Sequence, residues 1–371
     1  RFPPTGVDGL SALLKSIRVQ CNKRPKALQP IKVTEASAAA IYASFADNEH
    51  DYSGPLLEQL YKVLECLDGT KSAGFARLAQ PGTKCVWQAT PAKTVHLAFL
   101  RLALWSAHGT PDVSNLTPEQ IVYYGLRDPC LPYLKPEAHK PSKVAEGRFR
   151  VIWPLSVLDE LLFAFLHKAQ NKADIAAYQE ERLPGPILPM VGVGHSDDSM
   201  QVLGRTLSRL HTTPGTSGKT CSSDATGWDF SVSRMLWVRD AMRRIDCYSR
   251  VHGDSAVDEA YCGLLLVAGI LSSAHSFVVG SDVYAFDFFG LMPSAHPSTS
   301  DSNTCMRAEA LFSVIERMLA VVGDDVVHDE ELSQGAGGEV EQLRAIGTDS
   351  REIVPHEPWS YSFNSHYITY D

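Results

Sequence analysis

Two groups of aspartates have the residue types and the spacing for metal-dependent chemistry. Asp224 and Asp229 lie at the end of a predicted strand and in the turn after it, whereas Asp324 and Asp325 form the tip of a predicted hairpin with valines on both sides. Like charges placed together at the edge of a buried sheet raise carboxylate pKa values, and a divalent cation relieves the repulsion. Carboxylate oxygens are ligands that Mg²⁺ prefers, so the pattern predicts a site for Mg²⁺ or Mn²⁺.

Two such ions can activate a hydroxyl for attack on phosphorus and stabilise a leaving pyrophosphate. Neither group of aspartates by itself is enough to identify a metal site. A Gly-Asp-Asp sequence at 323–325 also suits an ordinary hairpin turn, and Asp224 with Asp229 also suits a helix N-cap followed by a surface acid. The order of motifs along the chain must therefore decide the interpretation.

The composition is that of an ordinary globular protein. Of 371 residues, 44% are hydrophobic and 21% are charged, which excludes a disordered chain, a collagen and a coiled coil. The longest apolar stretch, residues 263–271, is too short to span a bilayer. The eight cysteines include no C-x-x-C pair, which argues against a zinc site and is typical of a reduced, intracellular protein.

The net charge of −9 hides two parts of opposite sign. Residues 1–150 contain 19 Lys and Arg against 13 Asp and Glu, whereas residues 151–371 contain 15 against 30. A protein that binds phosphates in one region and metal ions in another would show this division, although a solvated acidic surface gives the same pattern. Charge alone leaves both interpretations open.

The pattern of apolar residues and turn residues predicts a mixture of helices and short antiparallel strands, an α+β fold. Residues 182–195 are rich in Pro and Gly and are predicted to form a linker or loop. The main predicted elements are helices over 94–107, 231–248 and 257–272, a hairpin of strands over 277–279 and 283–289, a further helix after residue 300, and a strand, turn and strand over 318–327.

Three motifs follow one another in an order that is specific for one family. They are Asp224-x₄-Asp229, Gly290-x₃-Ser294-Ala295-x₃-Thr299-x₃-Asn303 and Gly323-Asp324-Asp325. Their order resembles motifs A, B and C of the RNA-dependent RNA polymerases of positive-strand RNA viruses. Motif B departs from the usual Ser-Gly by having Ser-Ala, and no motif D lysine is evident. Arg351 is the nearest basic residue, so a general acid is not identified.

Further segments extend the resemblance over residues 70 to about 367. Residues 135–152 resemble the basic motif F of the fingers, 70–74 resemble motif G, and 363–367 resemble motif E. The motif F and motif E segments resemble most the sequences of sobemovirus-like enzymes. This group includes the enzymes of the related dinoflagellate-infecting RNA viruses. This resemblance implies a right-hand polymerase with fingers, an antiparallel-sheet palm and a thumb that is absent or minimal in this chain.

The resemblance also implies a division of the chain into functional regions. Residues 1–195 correspond to the fingers with an N-terminal extension, 196–239 to the palm with motif A, and 240–285 to an insertion between fingers and palm. Residues 286–358 then hold palm motifs B, C and D, and 359–371 hold motif E and the start of a missing thumb. A viral replicase of this kind works in the host cytoplasm, at membrane-associated replication sites.

The family's roles transfer to individual residues. Asp224, Asp324 and Asp325 are the expected catalytic residues and ligands of two Mg²⁺ or Mn²⁺ ions. The expected partners are the RNA template and product, nucleoside triphosphates and other viral replication proteins. The remaining site residues are Asp229, Ser294, Thr299 and Asn303 at the ribose, Arg148 and Arg150 at the triphosphate, and Lys71, Ser72, Lys135, Lys140 and Lys143 along the RNA and nucleotide channel.

The resemblance leads to two geometric predictions about side chains at the site. Arg148 and Arg150 would alternate on one face if Phe149 lies on a strand, with Phe149 packed on the other face. Asp229 and Asn303 should lie within hydrogen-bond reach, directly or through one water, with the Asn amide donating to the carboxylate and its oxygen left for a 2′-hydroxyl.

Two other functions remain open from the sequence. A reverse transcriptase shares the palm, but that family usually has an aromatic residue before the paired aspartates and lacks the Asn of motif B. An inactive RNA-binding protein with a polymerase-like fold is the other alternative, and the presence of Asp224, Asp324 and Asp325 argues against it.

Overall fold

The computed structural model describes most of the chain. The described residues are 2–24, 30–75, 82–182, 185–194, 196–213, 215–216, 220–225, 227–253, 255–317, 319–329, 332–348, 350–356, 360–363 and 366–369, with the backbone alone from residue 350 onward. Asn364 and Ser365 of the predicted motif E lie outside these residues.

Helices and strands are mixed along the described chain, which confirms the predicted combination of both. The helices are α1 (Gly6–Lys23), α2 (Glu35–Tyr42), α3 (Leu56–Glu65), α4 (Lys84–Gln88), α5 (Pro91–Ser114), α6 (Pro118–Tyr123), α7 (Pro141–Glu146), α8 (Val157–Gln179), α9 (Asp197–Thr212), α10 (Trp228–Ser231), α11 (Arg234–Ser249), α12 (Ala256–Ser273), α13 (Thr299–Ile315) and α14 (Glu339–Ala345). The strands are β1 (Tyr133–Leu134), β2 (Val151–Ile152), β3 (Ile187–Pro189), β4 (Thr220–Ala225), β5 (Ser276–Val279), β6 (Asp282–Ala285), β7 (Leu319–Val322), β8 (Asp325–Asp329), β9 (Ser350–His356), β10 (Ser360–Phe363) and β11 (His366–Thr369).

A five-stranded sheet with the order β3-β7-β8-β4-β9 positions the acidic residues. β3 pairs with β7 in parallel, and the other neighbours are antiparallel. β7 and β8 form a hairpin in which Val322 pairs with Asp325 across a two-residue turn, and Gly323 adopts the φ of 61° that the turn requires. On the other side of β8, Ser223 of β4 pairs with Val326, so β4 ends beside the tip of the hairpin.

Alternate side chains of β7 and β8 face two different layers of helices. Val321 and Val326 are buried with Leu311 of α13, whereas Ala320 and Val327 are buried with α8 and α9. The sheet therefore lies between helices on both faces, which explains why its central strands are nearly continuous runs of apolar residues.

A larger, mostly helical core lies beside the sheet and contains α3, α5, α8 and α12. In the described part of the chain, α12 is the one helix long and apolar enough to cross a membrane by length and composition. From the sequence, no apolar stretch long enough to span a bilayer was expected. Helix α12 packs against α5 and α11, and Leu265 and Leu271 are fully buried. These contacts are those of a core helix.

Two predicted segments differ from the structure. The helix expected over 231–248 is α11 and begins later, at Arg234, because Ser233 is extended and accepts a hydrogen bond from the backbone N–H of Leu236 as an N-cap. The short helix α10 before it was not expected. The loop expected over 182–195 contains β3, which depends on pairing with β7 more than 130 residues away, and such a long-range pairing leaves no local signal.

Gly290 lies where backbone segments around the site approach each other closely. Its φ is 107°, its N–H donates to the Ser273 carbonyl at 2.7 Å, and an added Cβ would lie 2.1 Å from the Val232 carbonyl oxygen. We expect Gly290→Ala to reduce the free energy of unfolding by roughly 3 kcal/mol in urea denaturation. Gly280→Ala, at a φ of 65° with no atom within 4 Å, should cost only about 1 kcal/mol. Equal losses would contradict this packing argument.

Candidate active site

Three aspartates meet where β4 ends beside the β7–β8 turn. The carboxyl groups of Asp224 and Asp324 lie close enough for a side-chain hydrogen-bonding interaction. Burial, together with the charges of Asp324 and Asp224, raises the pKa of Asp325 to about 7. Burial also raises the pKa of Asp324. The structure thus brings together the three residues predicted as metal ligands.

The chemistry of this group suits a divalent cation. In the part of the chain that the structure describes, no three His, Cys, Asp or Glu side chains are already arranged as a complete set of metal ligands. Mg²⁺, however, is commonly held by one or two carboxylates and keeps several waters. Asp224 and Asp324, with Asp325 beside them, could supply those carboxylates, and a bound ion would offset their negative charges.

A buried arginine that the sequence analysis did not select lies beside the aspartates. Arg307 on α13 is fully buried and interacts electrostatically with Asp324, Asp224 and Asp325. Burial lowers its pKa to about 10, a value at which the guanidinium is still charged at neutral pH. Arg307 therefore supplies a permanent positive charge to a cluster of three carboxyl groups. Its position one helical turn after Asn303 was the signal that could have identified it.

Helix α13 also holds the turn itself. Thr304 Oγ1 accepts a hydrogen bond of 2.9 Å from the backbone N–H of Gly323, next to Asp324. The start of α13 is fixed in turn by buried ion pairs, because Asp301 lies 2.9 Å from Arg243 and 2.6 Å from Arg244 of α11. These arginines are fully buried, and the sequence analysis did not identify their role.

Asp229 faces the same cluster from α10. Gly227, with a φ of 61°, turns the chain between β4 and this helix, and the Asp229 carbonyl accepts from the Met292 N–H at 2.8 Å. Burial and the charge of Asp324 raise the pKa of Asp229 to about 7, while Arg150 acts in the opposite direction. The positive charge of Arg150 also opposes the rise in the pKa of Asp324. One arginine of the basic segment is therefore within electrostatic reach of the acidic cluster.

The two arginines of the basic segment have different surroundings. Residues 148–150 are not in a strand, since β2 begins at Val151, so the expected strand alternation is wrong. Phe149 is buried as expected. Arg148 donates to Glu146 at 3.1 Å, whereas Arg150 is 3.3 Å from Glu137 with its side chain 61% exposed. Glu137 therefore holds Arg150 by a weak, solvent-exposed ion pair.

The lysines predicted to line the channel are exposed or half-buried. Lys135 is 2.8 Å from Glu137, so Glu137 binds two cations of the basic segment. Lys140 is exposed at the start of α7, and Lys143 is half-buried within that helix. Lys71 is exposed, 3.8 Å from Asp68.

The hydroxyl groups predicted to bind the ribose or the channel contact the protein itself. Ser294 Oγ accepts from the Trp153 N–H at 3.4 Å, and Thr299 Oγ1 donates to the carbonyls of Pro293 and His296 at 3.1 and 2.7 Å. Ser72 Oγ accepts from the N–H of Gly74 at 3.1 Å. These bonds shape the loops around the site.

Asn303 has a different partner from the one expected. Its Oδ1 accepts a hydrogen bond of 2.7 Å from Nε1 of Trp228, and no direct hydrogen bond joins it to Asp229 among the described residues. The amide oxygen thus already accepts one hydrogen bond from the protein, and its predicted contact with a nucleotide stays a prediction. Arg351, the motif D candidate, lies in β9 with its Cα opposite that of Asp224, and its side chain is outside the described part.

Comparison with known proteins supports the resemblance seen in the motifs. No family model matches the chain. The chain is 29% identical over 223 residues to the replicase polyprotein P2AB of Cocksfoot mottle virus, and 27% identical over 249 residues to the RNA-directed RNA polymerase of Mushroom bacilliform virus. It is also 27% identical over 271 residues to the replicase polyprotein P2AB of Southern cowpea mosaic virus. These viral replicases are homologues of the chain.

The similarity covers most of this chain but only part of each relative. The three alignments span 58%, 65% and 69% of the chain, and 21%, 51% and 26% of the relatives in the same order. The chain thus spans between about a fifth and about half of the length of these proteins. The predicted resemblance to sobemovirus-like polymerases is confirmed over that region.

The raised carboxyl pKa values predict a pH-dependent stability. Asp325 has a pKa near 4 when unfolded and about 7 when folded, so its ionisation costs stability as pH rises from 4 to 7, and the full cost is present above 7. In metal-free buffer, Asp325→Asn should therefore be more stable than the parent by roughly 1–2 kcal/mol at pH 8. The gain should disappear near pH 4, measured by urea denaturation at both pH values.

Arg307→Met is the opposite change at the same cluster. It removes the compensating charge and should lose more stability at pH 8 than at pH 5, because Asp325, whose pKa is about 7, is ionised mainly at the higher pH. Differences that do not change with pH in either variant would show that the carboxyl groups do not repel one another in the folded protein.

Proposed function

We propose that the chain is an RNA-directed RNA polymerase that copies a viral RNA genome from nucleoside triphosphates. The observation that carries this proposal is the meeting of Asp224, Asp324 and Asp325 at one sheet edge, with Asp229 and Arg150 facing the same cluster. The homology to viral replicases supports it independently. The substrates and partners are the RNA template and product and the nucleotides.

The right-hand description follows from this proposal. The five-stranded sheet with α9 and α13 corresponds to the palm, and the mostly helical core with the basic segment of residues 135–150 corresponds to the fingers. Residues 359–371 would begin a thumb. A replicase of this kind acts in the host cytoplasm, and we propose that other viral proteins attach it to membranes.

The chemistry is the attack of an RNA 3′-hydroxyl on the α-phosphorus of the incoming nucleotide. Two Mg²⁺ or Mn²⁺ ions, when bound, lower the charge of the attacking and leaving oxygens. Asp224 and Asp324 would hold these ions, and Asp325 would be a weaker or outer ligand. Arg150 would contact the triphosphate, since it already lies within electrostatic reach of Asp229 and Asp324.

The phosphates are a stronger partner for Arg150 than Glu137 is. The ion pair with Glu137 is exposed and contributes at most about 1 kcal/mol. A triphosphate offers several anionic oxygens to a guanidinium and can therefore displace the carboxylate. Lys140 and Lys143 would act mainly on RNA phosphates, and Lys71 and Ser72 would lie along the template path.

Removal of either principal aspartate should abolish synthesis. Asp224→Ala and Asp324→Ala are each expected to reduce nucleotide incorporation on an RNA template to background, because a metal ligand is lost at the reacting phosphate. Both variants should remain folded, since they remove like-charge repulsion. Circular dichroism and thermal denaturation provide the control for folding.

The parent must show metal-dependent incorporation that EDTA abolishes. Full activity of either alanine variant with Mg²⁺ would refute the polymerase assignment. A parent that incorporates deoxynucleotides in preference to ribonucleotides would instead support the reverse-transcriptase alternative. A folded, RNA-binding parent without incorporation would support the inactive alternative.

Two substitutions in the basic segment should affect nucleotide use and template binding separately. Arg150→Ala is expected to raise the KM for nucleotides about tenfold, with little change in RNA affinity, because its guanidinium lies within electrostatic reach of the acidic cluster. Lys140→Ala, an exposed change in the same segment, should weaken RNA binding and reduce its salt dependence by about one counterion. Loss of RNA binding alone in Arg150→Ala, with an unchanged nucleotide KM, would overturn the assignment.

A further inference from the structure

The orientation of the Asn303 amide is determined by its neighbour. Nε1 of Trp228 donates to Oδ1 of Asn303 at 2.7 Å, and both side chains are buried, with 2% and 7% of their surface exposed. An indole N–H can only donate, so its partner must be the amide oxygen. Because the amide group is planar, its nitrogen and two N–H donors then point away from the indole.

Both residues are directly connected to the acidic cluster. Trp228 precedes Asp229 on α10, and the Asp229 carboxyl interacts with the charge of Asp324. Asn303 precedes Thr304 on α13, and Thr304 holds the backbone N–H of Gly323. The Trp228–Asn303 bond therefore joins the helix that carries Asp229 to the helix that supports the hairpin turn, beside the proposed nucleotide site.

We infer that Trp228 is a positioning residue for sugar recognition: its indole N–H fixes the Asn303 amide so that the amide nitrogen donates to the 2′-hydroxyl oxygen of the nucleotide. This inference rests on the proposed polymerase function. A nucleotide without the 2′-hydroxyl would leave a buried amide N–H without a partner, and such a site rejects the analogue. The indole also prevents the amide from rotating to present its oxygen instead.

A bond of this kind differs from that of a tryptophan that only packs. The fully buried Trp105 also donates through Nε1, but to the backbone carbonyl of Leu126 at 2.7 Å. The direction of that carbonyl is already set by the main chain, whereas an Asn amide can rotate about its side-chain torsion. Trp105 is therefore a matched control, since its replacement by Phe also deletes one buried indole N–H, on a helix remote in sequence from the motifs.

The test measures the ratio of kcat/KM for ATP to kcat/KM for dATP on an RNA template with Mg²⁺. This ratio does not depend on the fraction of folded enzyme, so a partly unstable variant remains informative. Trp228→Phe is expected to lower the ratio about tenfold, whereas Trp105→Phe should leave it at the parent value. Asn303→Asp keeps an oxygen for the indole but removes the N–H donors, and it should lower the ratio at least as much.

The double variant Trp228→Phe/Asn303→Asp separates positioning from packing. If the indole acts only through the amide, the double variant should have the same ratio as Asn303→Asp alone. An unchanged ratio in Trp228→Phe, an unchanged ratio in Asn303→Asp, or fully additive effects would each overturn the inference. Absence of incorporation by the parent would instead contradict the proposed function.

A binding measurement covers the case in which Trp228→Phe is too slow for kinetics. The shift in melting temperature produced by ATP and by dATP, each with Mn²⁺, gives the preference of the parent and of the variant without turnover. The parent should be stabilised more by ATP than by dATP, and Trp228→Phe should reduce that difference. An equal preference in the two proteins would overturn the inference by this route.

Discussion

The structure of the site depends on the electrostatic cost of bringing three carboxyl groups together in a partly buried position. Burial raises the pKa of Asp324 and, together with the neighbouring carboxyl charges, raises that of Asp325 to about 7, so the group avoids full ionisation near neutral pH. Arg307 contributes the opposite charge from inside the protein. A buried guanidinium is itself unfavourable without partners, and buried carboxylates are unfavourable without a cation. Each side of this interaction therefore makes the burial of the other tolerable.

One helix connects most of the parts of the site. Within about two turns of α13, Asp301 binds two buried arginines of α11, Asn303 accepts from Trp228, Thr304 binds the hairpin turn, and Arg307 faces the aspartates. Residues three and four apart on a helix lie on adjacent parts of one face. Because α13 also packs against β7, its position determines where the turn and α10 lie relative to each other.

The sequence predicted those features that have a local cause. The β7–β8 hairpin and α13 were expected, because short apolar runs, a Gly-Asp turn and helical spacing are all visible within a few residues. Features made by distant residues were not expected. The partner of Asn303 is 75 residues away, and β3 is a strand only because β7 lies beside it. Arg307 was missed because its spacing from Asn303 places it on the same helix face but does not show that it is buried beside the aspartates.

Arg150 connects the basic first part of the chain with the acidic second part. Taken alone, the basic first part and the acidic second part were compatible with an ordinary solvated surface. Arg150 from the basic part lies close enough to lower the pKa values of Asp229 and Asp324 in the acidic part, so the two parts meet at one place. An anionic substrate between them would be held by cationic side chains on one side and, on the other, by any divalent cations that the carboxylates bind. Glu137 pairs with both Lys135 and Arg150, so an anionic substrate that binds these two cations must displace its carboxylate.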